Sequence, residues 1–199
     1  MKVDVGGIIV RRALLDHAQQ HILLGQVRDV VRLAPLFRPQ TPQGKKMSVR
    51  MTSAGEFGWI SDQNGYRYER KHPKGMDWPA IPQVALDVWR QISGVECDPQ
   101  SCLINFYNAD AKMGMHQDRD EVDMAMPVVS ISLGDDGLLR VGGPERGGKT
   151  QSLWLTSGDV AVMGGNARQH YHGIDRIRSG SSSLLPKSGR INLTMRVVQ

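Results

Sequence analysis

An antiparallel β core of the barrel or jelly-roll type, buttressed by two helices in the first half, is the fold class this sequence predicts, and three observations lead to it. Residues 101–198 hold a series of short β-rich runs punctuated by Gly, Asp and Pro, the spacing of an all-β barrel or sandwich. Two earlier segments carry apolar residues at helical intervals. No repeat or linker divides the 199 residues, a length that suits one domain with a full core.

The first helix is expected within 14–33, "LLDHAQQHILLGQVRDVVRL", where Leu15, Ile22, Leu23, Val27, Val30 and Val31 share helical spacing. Pro35, Pro39, Pro42 and Gly44 then enforce a loop. A second helix should start at Pro82, a favoured first-turn residue, run through Val84, Ala85, Val88, Trp89 and Ile92, and stop at Gly94. The β runs follow: "SCLINFYN", "PVVSISLG", "LLRVGG", "SLWLTSGDVAVMGG", "HYHGI" and "RINLTMRVV". Both helices are amphipathic and should cover this β core.

Composition narrows the function classes. No apolar run approaches the roughly 20 residues that a membrane helix needs, and Asp4 ahead of the N-terminal apolar patch, with no small-residue cleavage pattern after it, argues against a signal peptide. A cytoplasmic, monomeric protein with no membrane partner is expected. Two cysteines, Cys97 and Cys102, make no disulfide framework and are expected to be reduced thiols. The net charge of +5 suits a polyanionic partner. Within 65–75, "GYRYERKHPKG", four basic residues stand against one acid beside Tyr66 and Tyr68. Such a segment suits phosphates and stacked bases, although a solvated basic loop explains it equally well.

Against this basic background, residues 110–125 hold five acids and two bases. Within them His116 and Asp118 are two residues apart, so in an extended segment both side chains leave the same face and can reach one ion. A further ligand is available from "QHYHGI", where His170 and His172 again share parity. Two histidines and one carboxylate form the facial triad of non-haem Fe(II) oxygenases, which leaves coordination positions open. His-x-Asp alone is weak, since a solvated turn explains most instances. In "RINLTMR", Arg190, Asn192, Thr194 and Arg196 share one strand face. Inward arginines require an anion, and a dicarboxylate would satisfy them bidentately. An edge strand with outward arginines and Ile191, Leu193, Met195 and Val197 as its core face is equally acceptable on the pattern alone.

Taken together, "INFYNADAKMGMHQDRDE", "VVSISLG", "GDVAVMGG", "YHGI" and "RINLTMR" resemble the bacterial AlkB family of Fe(II)/2-oxoglutarate-dependent dioxygenases, which repair alkylated nucleic acid. "MSVRMTSAGEFGWISDQNGYRY" and "WPAIPQ" resemble its nucleotide-recognition portion. The resemblance runs from about residue 45 to the end. It implies a single dioxygenase domain over 1–199, with an N-terminal extension and helix to about 44, a nucleotide-recognition lid and support helix over about 45–100, and a double-stranded β-helix, or jelly-roll, core over about 101–199.

The resemblance further implies Fe(II) held by His116, Asp118 and His172, with 2-oxoglutarate and O2 as the other reactants. His172 rather than His170 matches because the family's ligand precedes Gly-Ile. Arg190 and Arg196 would bind the cosubstrate, helped by Asn105, Tyr107 and Asn192. Trp59 and Tyr66 match lid aromatics that would stack a flipped base, and Met51, Asp120, Glu121 and Arg146 fall on the substrate side. The implied reaction is oxidative demethylation of bases of the 1-methyladenine and 3-methylcytosine type, with formaldehyde release. Single-stranded DNA would be the preferred partner, with duplex DNA and RNA as further substrates. Phe106 departs from the family, which has arginine there, but as a strand neighbour of Asn105 and Tyr107 it should face away from the pocket.

Two rivals remain. The same iron chemistry could act on a protein or small molecule, against which stands the basic, aromatic first half. A silent nucleic-acid-binding jelly roll would not need His116, Asp118, His172, Arg190 and Arg196 intact. Methylation at N1 of adenine or N3 of cytosine makes the base cationic, so Asp120 and Glu121 should select the damaged base by charge. The basic segment after Tyr66 should then follow phosphates, giving steeply salt-dependent binding.

Overall fold

The computed structural model describes residues 1–199. In chain order its elements are β1 (Lys2–Val5), β2 (Ile8–Arg11), α1 (His17–Leu33), β3 (Arg50–Gly55), β4 (Gly58–Asp62), β5 (Gly65–Glu69), α2 (Gln83–Ile92), β6 (Ser101–Tyr107), β7 (Met113–His116), β8 (Val128–Gly134), β9 (Asp136–Val141), β10 (Gln151–Leu155), β11 (Val160–Met163), β12 (His172–Arg178) and β13 (Arg190–Arg196). A 3₁₀ turn, Gly165–Gln169, precedes β12.

Two antiparallel sheets face each other. The larger runs β1-β2-β11-β8-β13-β6-β3 and the smaller runs β10-β9-β12-β7, while β4 and β5 form a separate hairpin. This is a jelly roll with two helices laid on the outside of the larger sheet. Helix α1 starts at residue 17 rather than 14 because Asp16 caps it: its side chain accepts from the Gln19 amide at 2.8 Å and the Gln19 side chain accepts from the Asp16 amide at 3.0 Å. Leu23, Leu24, Val27 and Val30 are buried on its inner face, whereas Ile22 stays 56% exposed. Helix α2 follows Pro82 as expected and buries Ala85, Val88 and Trp89.

The larger sheet is buried on both faces. Ile104, Ile131, Leu133, Ile191, Leu193 and Met195 join the helices in one apolar cluster. On the other face, Leu103 and Tyr107 join Ile8, Val10 and Met51 in a second cluster between the sheets. The two alternatives for "RINLTMR" are thus resolved by double burial: the aliphatic face packs on the helices and the polar face turns into the jelly roll, with all seven residues buried.

The larger sheet also draws strands from outside residues 101–199. The N-terminal apolar patch is the hairpin β1–β2, which pairs with β11, and β3 pairs with β6 at the opposite edge. Trp78 and Trp89 are core residues, but Trp154 on β10 is only half-buried, with the Arg178 guanidinium 4.1 Å from its ring centroid. Phe106 packs on the helix side and lies under Arg50, 4.7 Å from its ring centroid to the guanidinium. Cys97 is exposed and Cys102 buried, and both are free.

Candidate active site

Strand pairing brings the proposed ligands together. β12 runs antiparallel to β7 with His172 opposite His116, and the register shifts between His172 and Ile174. Gly173 permits this: a Cβ there would lie 2.5 Å from the Met113 carbonyl oxygen on β7, so any larger residue would part the two strands. The loop after β7 then carries Asp118 back under both imidazoles.

The ligand atoms of His116, Asp118 and His172 all lie within 4.8 Å of one another. Nε2 of His116 is 3.6 Å from Asp118 Oδ1, and Nε2 of His172 is 3.9 Å from Oδ2. Each imidazole donates its Nδ1 proton to a main-chain carbonyl, His116 to Gly114 at 2.9 Å and His172 to His170 at 3.0 Å. Both Nε2 lone pairs are therefore left facing the carboxylate, the donor arrangement a metal ion needs. Two nitrogen donors and one oxygen fit Fe(II) by type and number. His170 lies outside the strand, after the 3₁₀ turn, and its Nδ1 bonds to the Gly6 carbonyl at 2.8 Å.

Burial alone would raise the Asp118 carboxyl. Arg196, with His172 and His116, overrides it and holds the group well below the usual carboxylate range. Burial pushes His172 down to about 4 despite the attraction of Asp118, which keeps the ring neutral and able to coordinate.

These groups line one wall of a cavity of about 310 Å³ between the sheets. At its floor lies the β13 polar face. Arg190 is fully buried and donates from Nη2 to Ser132 Oγ at 2.8 Å; it pairs with no carboxylate and its Nε has no partner. Burial lowers its pKa from the ordinary arginine value. Gly137 makes room for it, since a Cβ there would lie 2.7 Å from Arg190 Nε. Arg190 stands opposite Tyr107, and Asn192 opposite Asn105. Tyr107 is pushed up to about 12 by burial, although Arg190 pulls the other way. Asn105 Oδ1 is buried without a partner. A buried cation, a phenol and an unsatisfied amide oxygen in one cavity fit a carboxylate-bearing ligand.

Asn192 is mostly satisfied from within: its Nδ2 donates to Ser130 Oγ and the Ile131 carbonyl, and its Oδ1 accepts from Thr194 and Asn105. Arg196 is also less free than expected. Its Nη2 donates to Asp118 Oδ2 at 2.8 Å and its Nε stands 3.2 Å from Glu121 Oε1 as an ion pair, while neither Nε nor Nη1 makes a hydrogen bond. Burial would lower the Arg196 pKa, but Asp118 and its other partners raise it above the ordinary arginine range.

The mouth is aromatic. Trp59 on β4 and Tyr66 on β5 stack with centroids 5.6 Å apart and planes inclined by 15°. Trp59 Nε1 donates to Asp120 Oδ2 at 2.8 Å. Met51 lines the cavity from β3, and the Arg146 guanidinium stands 5.2 Å from the Tyr171 ring centroid at the rim.

Two expectations change. Glu121 is a buried anchor whose carboxylate is taken by Arg168 Nη2 at 2.8 Å, by the Tyr68 hydroxyl and by Arg196. The acid cluster thus divides into Asp118 at the ligand group, Asp120 at the Trp59 indole and Glu121 in an internal ion network. The basic segment after Tyr66 does not form a continuous cationic track: Arg67 pairs with Asp62 and Glu69, Arg70 with Glu56 and Lys71 with Asp77, leaving only Lys74 of its four cations without an ion pair. Arg168 is not singled out by the sequence, and Tyr68 is read there only as an aromatic suited to stacked bases, whereas its hydroxyl donates to Glu121. The sole signal for Arg168 was indirect, a surplus of acids that needed a buried cation.

The chain matches the 2OG-Fe(II) oxygenase superfamily over residues 7–196. It is 49% identical over 193 residues to the alpha-ketoglutarate-dependent dioxygenase AlkB homolog of Caulobacter vibrioides, covering 96% of this chain and 88% of that protein. It is 37% identical over 196 residues to alpha-ketoglutarate-dependent dioxygenase AlkB of Escherichia coli, covering 96% and 89%. Among solved structures, that of OsALKBH1 superposes with a TM-score of 0.79 at 28% identity and covers 99% of both chains.

Proposed function

The chain belongs to the 2OG-Fe(II) oxygenase superfamily and, within it, to the bacterial AlkB dioxygenases; on that premise we propose that it demethylates bases in nucleic acid, with His116, Asp118 and His172 as the iron ligands. One observation carries this reading. A single cavity has the two-histidine, one-carboxylate group on its wall, the unpaired Arg190 at its floor and the Trp59–Tyr66 stack at its mouth.

Bound Fe(II), with 2-oxoglutarate and O2, supplies an oxidant that places one oxygen atom on the N-methyl carbon and the other in succinate, with loss of CO2. The chain's own residues do the rest. Arg190 binds a cosubstrate carboxylate with charge-assisted hydrogen bonds, Tyr107 and Asn105 orient it, and the unpartnered Nη1 of Arg196 is available to its other end. The hydroxylated methyl group then leaves as formaldehyde and the base regains its pairing edge.

A methyl group on that edge is out of reach inside a duplex, so the base must be extruded. Trp59 and Tyr66 offer it a stacking surface, with Met51 and His116 along the opposite side. Asp120 presents negative charge beside that surface and favours a cationic base over its neutral parent. Single-stranded DNA is the preferred substrate in this proposal because unpairing then costs least, with duplex DNA and RNA as poorer ones. The protein acts as a monomer in the cytoplasm, where Cys97 and Cys102 stay reduced, and residues 1–199 work as one domain with β4–β5 as the lid.

Competition among three oligonucleotides of one sequence carrying 1-methyladenine tests this proposal. Single-stranded DNA should be demethylated fastest, ahead of duplex DNA and RNA. Equal rates on all three would contradict the substrate preference, and no demethylation of any would contradict the function.

A further inference from the structure

Two buried charges that the mechanism does not use, Glu121 and Arg168, join two that it does. Asp118, Glu121, Arg168 and Arg196 form a charge-balanced cluster with none of the four more than 8% exposed. Arg168 donates to the Asp118 carbonyl at 2.5 Å, to the Met126 carbonyl at 2.8 Å and to Glu121 Oε2 at 2.8 Å. Arg196 bridges the two carboxylates. One member of the network comes from outside the core: the Tyr68 hydroxyl, on β5, donates to Glu121 Oε1.

We infer that Tyr68 is a positioning residue that couples the β4–β5 hairpin to the Asp118 carboxylate through Glu121 and Arg196. This rests on the reading of His116, Asp118 and His172 as the iron site. Glu121 Oε1 faces both the Tyr68 hydroxyl and Arg196 Nε, the latter at 3.2 Å. The hydroxyl fixes Glu121 Oε1, and the Glu121 charge steers the Arg196 guanidinium so that its Nη2 holds Asp118 Oδ2 at 2.8 Å. Without it, the Glu121 carboxylate is free to turn, Arg196 loses its steering charge and Asp118 loses its strongest orienting contact. The hairpin carries the base-stacking pair Trp59 and Tyr66, and its other side-chain hydrogen bond to the ligand loop runs from Trp59 to Asp120. A base that settles the hairpin therefore also settles the ligand carboxylate, and by linkage a bound metal favours the settled hairpin.

Outer contacts that orient metal ligands typically change metal affinity 10- to 100-fold when removed. The test is titration of the full chain with Mn(II), following free ion by its paramagnetic resonance signal, for wild type, Tyr68→Phe, Glu121→Gln and the double variant. Tyr68→Phe deletes one oxygen and should weaken Mn(II) binding about tenfold. Glu121→Gln should weaken it similarly, and the double variant should show less than the product of the two effects because both act along one chain of contacts. A purely structural tyrosine would lower the melting temperature and leave Mn(II) affinity unchanged, which would overturn the inference. Independent, multiplicative effects would overturn the route through Glu121. Should Tyr68→Phe fail to fold, Glu121→Gln carries the test alone, because it keeps an acceptor for Tyr68 and removes the charge that steers Arg196; unchanged affinity there would also overturn the coupling. Asp118→Ala separates the two levels: if wild-type binding survives that change, the iron-site reading itself falls and the inference with it.

Discussion

Replacing Arg190 with Met should make the ligand-free protein more stable while abolishing cosubstrate binding. The guanidinium is fully buried, donates one good hydrogen bond to Ser132 and meets no carboxylate. Exchanging buried charges for apolar side chains of similar size often stabilises by about 1–4 kcal/mol, even when the charges are paired. Loss of the Ser132 bond takes back about 1 kcal/mol, so a net gain of up to about 3 kcal/mol is expected. At a urea dependence of roughly 2 kcal/mol/M this moves the unfolding midpoint up by as much as about 1.5 M. The cosubstrate loses the partner of a buried carboxylate, worth about 3–5 kcal/mol, or roughly 100- to 1000-fold in affinity or more. Urea titration of the metal-free protein, paired with calorimetric titration of 2-oxoglutarate into the Mn(II)-loaded protein, measures both. A variant that is less stable by about 2 kcal/mol and still binds 2-oxoglutarate normally would refute the reasoning, because Arg190 would then be a structural cation.

Asp120→Asn keeps an oxygen to accept from Trp59 and removes the charge. One unit charge at about 4 Å in a water-like medium is worth about 1 kcal/mol, so preference for methylated over unmethylated oligonucleotide should fall about fivefold in a competition assay. Acid should destabilise the metal-free chain through His172: its folded value of about 4 lies below its ordinary 6.5, so between those values the unfolded chain binds more protons and stability falls as pH falls. The loss amounts to about 3 kcal/mol at most, and Asp118, held still lower, adds to it in more acidic solution; urea midpoints at pH 7.5 and 5 give the measurement. Oligonucleotide affinity should depend only mildly on salt. With Arg119 and Arg146 as the exposed cations without an ion pair that line the cavity, the logarithmic slope should be about −1.4, at about −0.7 per phosphate on a single strand.

The parts legible in the sequence are those that obey a period. The strands of the second half announce themselves as apolar runs between turn residues, and α1 and α2 by helical spacing ended by proline and glycine. The ligand pair His116 and Asp118 is legible as His-x-Asp, although Asp118 lies in the loop after β7 and not on the extended strand that parity assumes; the shared face of Arg190 to Arg196 does follow from strand parity. Parity could not tell which way that face points, because the helices bury the other face of β13 as thoroughly as the jelly roll buries this one. Strands β1, β2, β4 and β7 have four or five residues each, too short for alternation to stand out. In β5, Tyr66, Arg67, Tyr68 and Glu69 place charge and aromatics on a hairpin, and the ion pairs that neutralise Arg67 come from its partner strand and its own end. Arg168 sits on a 3₁₀ turn with no periodic pattern. Its partner Glu121 is 47 residues away, a separation that local pattern does not encode.

The central claim is that His116, Asp118 and His172 hold an iron that oxidises methyl groups on bases. Its most direct test is the yield of formaldehyde and succinate from a short single strand carrying 1-methyladenine, with Fe(II), 2-oxoglutarate and ascorbate, for wild type and His116→Ala. Equal amounts of the two products from wild type, and neither from the variant, are predicted. Succinate without formaldehyde would contradict the nucleic-acid substrate, and undiminished turnover by His116→Ala would contradict the iron site.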